Sequence, residues 1–563
     1  MNTSAPTTRI PVSTVPPPTS AAAATTEPLP KKPKQQRFLN VAVAGCSHGE
    51  MDKIYSTLKS MEQSSRMKFD LLICCGDYQA IRNLADLHTM HVKPNFRCLG
   101  TFHQYYSGQK IAPIFTIFVG GNHESSGFLA ELPNGGWVAP NIFYMGYSNV
   151  VKFAGLTIGG LSGIYKSQDY NKGHFERPPF DYGSTISAYH VRSMDIFRLK
   201  QLARRNDEPR PNCLDIIITH DWPVGITDFG DTRALLRYKP YFEDDIRNGV
   251  LGNPETMEVL RMLKPRYWFS AHLHCRYEAQ VYHDHQEDIN QLPEETKFLA
   301  LGKPAKNQRF VEAVQIPIAE DAKLTFEYDP LWCAVLRNTD HLLQLTSRNI
   351  YMPSSSGTEQ WDFRPTQEQI QMVHQLFGNN FEIPHNFQLT APPHRLTDSP
   401  LEPCLYYQNP QSTEFCEKLQ ITNFNKLLYE KTKDCQGIPY FQRLNNATAA
   451  GGAEEIDLGD LDDEAAVDEF GDDFFVVDGD DVEETETPHA CDCEDEEIVV
   501  EKEVQVSTIT REEDGTVIVE KQTTTVVTEE AYVPPPLSTR VTVADRILKR
   551  RRVDIPEEEG EEA

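Results

Sequence analysis

Five short groups of residues with metal-binding side chains lie in the first half of the chain: Cys46-Ser47-His48, Gly76-Asp77, Gly121-Asn122-His123-Glu124, Thr219-His220-Asp221 and His272-Leu273-His274. Together they offer a thiol, a carboxylate, an amide oxygen and several imidazoles, which nearly fill one site for two divalent cations. The chemistry such a site serves is hydrolysis of a phosphate ester. An anionic phosphodiester repels hydroxide and its alkoxide leaves reluctantly. Two cations roughly 3.5–4 Å apart make hydroxide available near neutral pH and neutralise the phosphate oxygens. One carboxylate has to bridge them, and Asp77, closing the stretch 71–76, is the natural candidate. Asn122 offers a carbonyl oxygen and His123 an imidazole, both presented by Gly120 and Gly121, which let the backbone turn tightly. His272 and His274 are two residues apart, so an extended chain would leave them poorly placed to share a centre with the other groups. A loop is needed there for both to reach metal.

The groups need elements to carry them, and apolar runs supply these at 39–44, 71–75, 114–119, 156–161, 214–219 and 267–271. Runs of this length, apolar on both faces, suit buried strands in a sheet covered on each side by helices. Five of the six lead into a His, Asp, Asn or Cys of the groups, as expected where functional residues gather at the carboxyl ends of strands. The expectation is a layered α/β sandwich over residues 38–285. From 286 to 444 the pattern changes to longer polar-apolar stretches with Pro-rich breaks, which predicts a second, smaller and mainly helical domain. One of its helices is readable. Thr366 and Gln369 suit a capping box, Ile370, Val373, Leu376 and Phe377 share a face, and Gly378 can end it.

The chain has 563 residues, more than one core normally organises. Its net charge of −29 comes from 54 Lys+Arg against 83 Asp+Glu. Residues 451–563 hold 9 of the former and 37 of the latter, a balance of −28, so the first 450 residues carry only −1. The acidity belongs to the tail, 445–563, which is expected to be disordered, as is the Thr-, Pro- and Ala-rich leader 1–37. A near-neutral body can hold a local basic groove, so the total charge does not exclude a nucleic-acid partner. The 12 cysteines are scattered without zinc-finger spacing, which fits a reducing compartment. No signal or transit peptide pattern and no membrane-length apolar run is present, and a soluble intracellular protein is expected.

The motifs GCSHGEMDKIY (45–55), GDYQAIRN (76–83), GGNHE (120–124), GIYKSQDYNKGHFERPP (163–179), THDWP (219–223) and SAHLHC (270–275) resemble the RNA lariat debranching enzymes, a branch of the calcineurin-like metallophosphoesterases, over about 38–444. A GNH alone fits many phosphoesterases; Cys46, where aspartate is usual, together with the GIYK-to-HFERPP stretch and THDWP, is far more specific. The resemblance implies the four-layer metallophosphoesterase sandwich with a debranching-enzyme C-terminal domain. It implies that Cys46, His48 and His274 line one metal pocket and Asn122, His220 and His272 the other, with Asp77 bridging. Iron, zinc or manganese would fill them, and a thiolate suits Zn²⁺ or Fe²⁺ better than Mg²⁺ or Ca²⁺. His123, not needed as a ligand in that scheme, becomes the candidate general acid, and Asp221 a residue that orients a ligand histidine.

Residues 162–192 match the family's lariat recognition loop. Lys166, Lys172, Arg177 and Arg192 can meet phosphates there, and Tyr165, Tyr170, His174, Phe175 and Tyr182 supply faces for unpaired bases. The resemblance makes the substrate branched lariat RNA, cut at its 2′-5′ bond so that excised introns can be turned over. The residues alone give metal-assisted phosphoester hydrolysis, which a phosphomonoesterase of the same superfamily would share; a catalytically silent RNA-binding scaffold on the same fold is the other alternative. A basic cluster at 546–552, holding Arg546 and Lys549-Arg550-Arg551-Arg552, reads as a nuclear import signal, with 31–34 a weaker second. The acidic segment before it could dock a protein partner.

Overall fold

The structure is a computed structural model that describes residues 36–92, 97–177, 179–204, 214–283, 294–399, 403–432, 501–511 and 517–527. It divides into two units, 1–455 and 456–563. In the first unit the strands are β1 (Arg37–Ala44), β2 (Leu71–Cys74), β3 (Thr116–Phe118), β4 (Gly136–Ala139), β5 (Ile142–Tyr144), β6 (Ser148–Phe153), β7 (Leu156–Leu161), β8 (Ile216–Thr219), β9 (Tyr267–Ser270), β10 (Tyr277–His283), β11 (Glu294–Ala300), β12 (Val311–Ile318) and β13 (Phe326–Tyr328). They form a six-stranded sheet in the order β12-β1-β2-β3-β5-β4 and a seven-stranded sheet in the order β10-β11-β9-β8-β7-β6-β13.

Strand alternation explains the layering. Val41, Val43 and Ile73 of the first sheet meet Ile158, Ile216, Ile218 and Phe269 of the second in one core. Their neighbours Ala42, Ala44, Leu72 and Cys74 face the other way and are covered by the helices Met51–Ser65 and Phe102–Tyr106. On the far side of the second sheet, Ile217 and Trp268 pack with the helices Ser193–Lys200, Pro254–Leu263, Pro330–Asn338 and Gln367–Phe377. The result is helix, sheet, sheet, helix, the four layers expected. All six predicted runs contain strands, and 156–161 is β7 to the residue.

The sandwich continues past the boundary expected at 285/286, so the region beyond it is less purely helical than expected. β11, β12 and β13 all lie beyond it: β12 pairs antiparallel with β1, β11 lies parallel to β9, and β13 closes the other edge against β6. The misreading has a physical cause. Edge strands keep one face wet, so β12 reads VEAVQIPI with polar alternation and tolerates Pro317, which central strands do not. Helices do dominate after Pro330, and Gln367–Phe377 begins with the expected Thr366–Gln369 capping box and ends on Gly378 in the left-handed conformation.

Arg82, six residues past Gly76, is fully buried and ties this later segment to the first: its guanidinium donates to Asp86 (2.9 Å), Glu131 (2.7 Å) and Thr390 (2.9 Å). In the second unit, Glu501–Arg511 (β14) and Val517–Val527 (β15) form an antiparallel hairpin, with Glu501 opposite Val527. The Val/Thr/Ile content of the two runs favours strand. The basic clusters at 31–34 and 546–552 lie outside the described residues.

A fragment ending at residue 285 should therefore fail to fold. It would lose the buried Phe298, Leu299, Leu301, Ile316 and Phe326, worth roughly 2 kcal/mol each against a typical total stability of about 5–15 kcal/mol. Thermal unfolding followed by circular dichroism should be non-cooperative for 36–285 and cooperative for 36–432. A sharp transition in the shorter fragment would show the later strands to be dispensable.

Candidate metal centre

Each of the five groups sits where a strand of the two sheets gives way to a loop, and the loops converge. Left-handed backbone, costly for residues with a side chain, occurs at His48 (φ 45°), Asp77 (φ 47°), Gln79 (φ 58°), His272 (φ 64°) and His274 (φ 48°). Such a concentration of strain marks a functional site. It also answers the HLH spacing: turning the chain at both His272 and His274 supplies the expected loop. Two glycines make room. A Cβ on Gly121 would lie 2.2 Å from an Asp77 carboxylate oxygen, and one on Gly76 2.0 Å from His220 Nδ1.

Cys46, His48, Asp77 and His274 bring one potential ligand atom each to within 4.8 Å of one another. His48 Nε2 is 3.0 Å from His274 Nε2 and 3.6 Å from Asp77 Oδ2. The backbone N–H of His272 donates to Cys46 Sγ at 3.1 Å. On the other side of Asp77, His220 Nε2 lies 3.4 Å from Oδ1 and 3.1 Å from Asn122 Oδ1, and the His272 ring is 5.0 Å from that of His220. The seven residues expected as ligands are therefore gathered at one centre, with Asp77 in the middle.

Their hydrogen bonds fit cations. The Cys75 carbonyl 2.8 Å from His220 Nδ1 can only accept, so Nδ1 carries the proton and Nε2 turns a lone pair toward Asn122 Oδ1, itself an acceptor. Asp77 Oδ2 is buried with no hydrogen-bond partner among the described residues. Lone pairs aimed at one another and an orphaned carboxylate oxygen are what a metal would satisfy.

Burial lowers His48 to about 4, His272 to about 3 and His274 to about 2, against the pull of Asp77, so these imidazoles are neutral and receptive at neutral pH. Burial alone would push Asp77 up, but His220, His123, His48 and the His123 amide outweigh it and hold the carboxyl below its usual range. The Cys46 thiol is pushed up by burial and by Asp77.

His123 donates its backbone N–H to Asp77 Oδ1 (2.9 Å), and its ring stands 5.5 Å from that of His48, outside the tight cluster. Asp221 does not orient a ligand histidine as expected. Its carboxylate accepts from the backbone N–H of Trp222 (2.9 Å) and of Tyr165 (3.2 Å), joining the THD loop to the 162–192 stretch, and burial raises its pKa to about 6. The Cys75 carbonyl does the orienting expected of it.

Two further residues, given no role by the sequence motifs, shape the centre. Glu124, 2% exposed, accepts from the amides of Tyr78 (2.6 Å), Gln79 (2.8 Å) and Gly121 (3.2 Å), clamping the Asp77 loop to the Asn122 loop; burial and Asp77 raise it to about 8. Lys303 is near enough to His48 and His274 to help depress both. Its signal was present: Phe298–Leu301 followed by Gly302-Lys303 repeats the pattern of an apolar run, a glycine and a polar residue. Gly45 packs on the Gly302 carbonyl so closely that a Cβ would lie at 2.2 Å.

The 162–192 stretch is anchored beside the centre, with Gly163 N–H donating to the Gly120 carbonyl (2.8 Å) and Gly120 N–H to Ser162 Oγ (2.9 Å). Several residues expected to face RNA instead hold it together. His174 is 8% exposed, stacked 3.7 Å on Tyr147 and bonded to Asp195 (2.8 Å). Arg192 is fully buried on Glu176 (2.5 Å), and Lys172 pairs with Asp169 (2.8 Å). Tyr165, Lys166 and Phe175 are half-buried, and Arg177 and Tyr182 exposed. The basic-aromatic composition could not separate these two roles.

Residues 39–276 match the family model of calcineurin-like phosphoesterases and 293–424 that of the lariat debranching enzyme C-terminal domain. The lariat debranching enzyme of Caenorhabditis elegans is 47% identical over 436 residues, 76% of this chain and 87% of that protein. Lariat debranching enzyme A of Xenopus laevis is 43% identical over 74% of this chain and 76% of its own length, and the human lariat debranching enzyme 44% over 70% and 71%.

The depressed imidazoles set a pH window. Free imidazoles protonate near 6.5, whereas these resist to about 4, 3 and 2. Below pH 6.5 the unfolded chain binds more protons, so stability is full above that pH and falls as pH drops, by up to about 1.4 kcal/mol per pH unit for each group. For chelator-stripped protein the urea midpoint should fall steadily from pH 6.5 to 4.5, and less steeply in His272→Asn. Identical slopes for the two proteins would contradict the buried, neutral state of His272.

Proposed function

The chain belongs to the lariat debranching enzyme family and is a hydrolase of phosphodiester bonds, and from this we infer that it cuts the 2′-5′ bond at the branch point of excised intron lariats, leaving linear RNA for turnover. The observation that carries the chemistry is the convergence of Cys46, His48, Asp77 and His274 on one point within a calcineurin-like sandwich. Cys46, His48 and His274 would hold one divalent cation and Asn122, His220 and His272 another, with Asp77 shared. When bound, the cations lower the pKa of a water and neutralise charge on the phosphate. A thiolate among the ligands favours Zn²⁺ or Fe²⁺ over harder cations, with Mn²⁺ a further candidate.

The chain's own groups do the rest. Asp77, ionised and buried, fixes the centre of the site. His123 presents an imidazole beside the ligand cluster without belonging to it, a position from which it donates a proton to the departing 2′-oxygen. Lys166 lies where its charge reaches Asp221 and His272, and with Tyr165, Phe175 and Arg177 it forms the RNA-facing side of the loop. Branched RNA is the substrate of this reading. Among the described residues no helix is long and apolar enough to cross a membrane. The cluster at 546–552 would direct the protein to the nucleus, and the acidic tail would recruit a protein partner; loss of nuclear accumulation on replacing Lys549-Arg550-Arg551-Arg552 by alanines would support the former.

The decisive assay uses a synthetic RNA whose branch carries one 2′-5′ and one 3′-5′ arm, with chelator and metal add-back. Only the 2′-5′ arm should be lost. His123→Ala should keep its metal and its RNA affinity while kcat falls about 10²- to 10⁴-fold, and Asp77→Ala should lose metal as well. Equal metal loss in the two variants would remove His123 from its role; hydrolysis of simple aryl phosphates alongside an intact branched RNA would move the protein to a general phosphoesterase.

A further inference from the structure

A polar cleft of about 410 Å³ lies between the 162–192 stretch and the later segment of the unit. Phe175, Arg177 and Ser184 line one side, and Thr346, Ser347 and Lys431 the other. Its walls are stitched together: Gly173 N–H donates to the Thr346 carbonyl (2.9 Å) and Ile350 N–H to the Asn171 carbonyl (2.6 Å). A Cβ on Gly173 would lie 2.1 Å from the Gln344 carbonyl oxygen, so the approach requires glycine. The cleft is thus preformed, and its size suits a ligand of one nucleotide.

Charge selects the ligand. Arg177 and Lys431 are both exposed, and neither has an ion-pair partner among the described residues. The two carboxylates of the lining are already engaged. Glu176 holds the buried Arg192 (2.5 Å) and accepts from Phe175 N–H (3.1 Å), and Asp181 caps a helix through Ser184 N–H (2.7 Å). Two uncommitted cations beside the hydroxyls of Ser184, Thr346 and Ser347 make an anion site, and the half-exposed ring of Phe175 offers a stacking face.

We propose that this cleft holds one nucleotide of the RNA outside the branch, its phosphate between Arg177 and Lys431 and its base against Phe175. The assignment rests on the branched-RNA reading above, and it gives the C-terminal family region a direct role in holding substrate.

The test is binding of a labelled unbranched single-stranded RNA to the full chain, followed by fluorescence anisotropy across a salt titration. Arg177→Gln and Lys431→Gln should each weaken binding about tenfold at low salt, the scale of a lost hydrogen bond to a charged group. The slope of log affinity on log salt should shrink by about 0.7, one phosphate's share for a single strand. Melting temperature and metal content should match the unaltered protein. Unchanged affinity and slope would overturn the site, as would a loss explained by lowered melting temperature. A nucleoside monophosphate whose affinity is lost in the variants while RNA affinity is kept would also overturn it, as a site for free nucleotide. The two readings fail separately: an unaltered protein that binds RNA but leaves the branch intact loses the debranching reading, whereas debranching with variants that bind RNA normally loses the cleft.

Discussion

Asp77 is 1% exposed, beside imidazoles that burial makes hard to charge. A buried carboxylate without a matching positive charge costs several kcal/mol, and among the described residues none hydrogen-bonds its Oδ2. The rest of the site is arranged around that deficit. His220 is fixed from behind by the Cys75 carbonyl, so its lone pair faces Asp77, and the amide of His123 is spent on the same carboxylate. Cys46 follows the same logic. Beside Asp77 its thiol resists ionisation, and only a cation would reverse that. A cation bound there would favour the thiolate, so loading should be tighter at higher pH.

The deficit persists because the backbone is held in conformations it would not choose. Asp77 and Gln79 are both left-handed, and the amides of Tyr78, Gln79 and Gly121 all point at Glu124, which acts as a clamp. The glycines at 76 and 121 are the complement of this clamp: where these loops pass within contact distance of Asp77 or His220, the side chain has been removed. A strained loop of this kind persists only when its surroundings over-determine it. Here they include Arg82, whose buried guanidinium connects the residues after Asp77 to Thr390.

What could be read from the sequence follows from burial. Central strands are apolar on both faces and end in the chemistry, so 39–44, 71–75, 214–219 and 267–271 announced both the sandwich and the ligand candidates. β12 and β13, at the edges, alternate or run to three residues, so the region that holds them reads as mainly helical although it adds strands to both sheets. Side chains that act through the backbone leave no spacing to read: Glu124 stands in the same motif as Asn122 and His123, yet its bonds to the amides of Tyr78, Gln79 and Gly121 are visible only in the fold. The 162–192 stretch failed for a different reason. Its composition is the same whether a cation meets an RNA phosphate or a neighbouring carboxylate, and Arg192 with Glu176, Lys172 with Asp169 and His174 with Asp195 are pairs that only the fold reveals.

Those internal pairs bear on how the loop works. A loop that had to order itself on RNA would lose affinity to the entropy of ordering. Here Arg192 and Glu176 are buried together, His190 and Asp169 meet at 2.6 Å, and Asp221 binds the Tyr165 amide. The loop is organised in advance and registered against the THD group, so that its exposed side chains stand at fixed positions relative to the metal loops. The later segment reaches the same region independently, through Lys303 after β11 and through Thr346 against Gly173. The two family regions found in the sequence are thus one structural unit. The calcineurin-like region brings the ligand candidates, while strands β11 and β12 flank β9 and β1, which carry them, and the residues after Pro330 wall the loop.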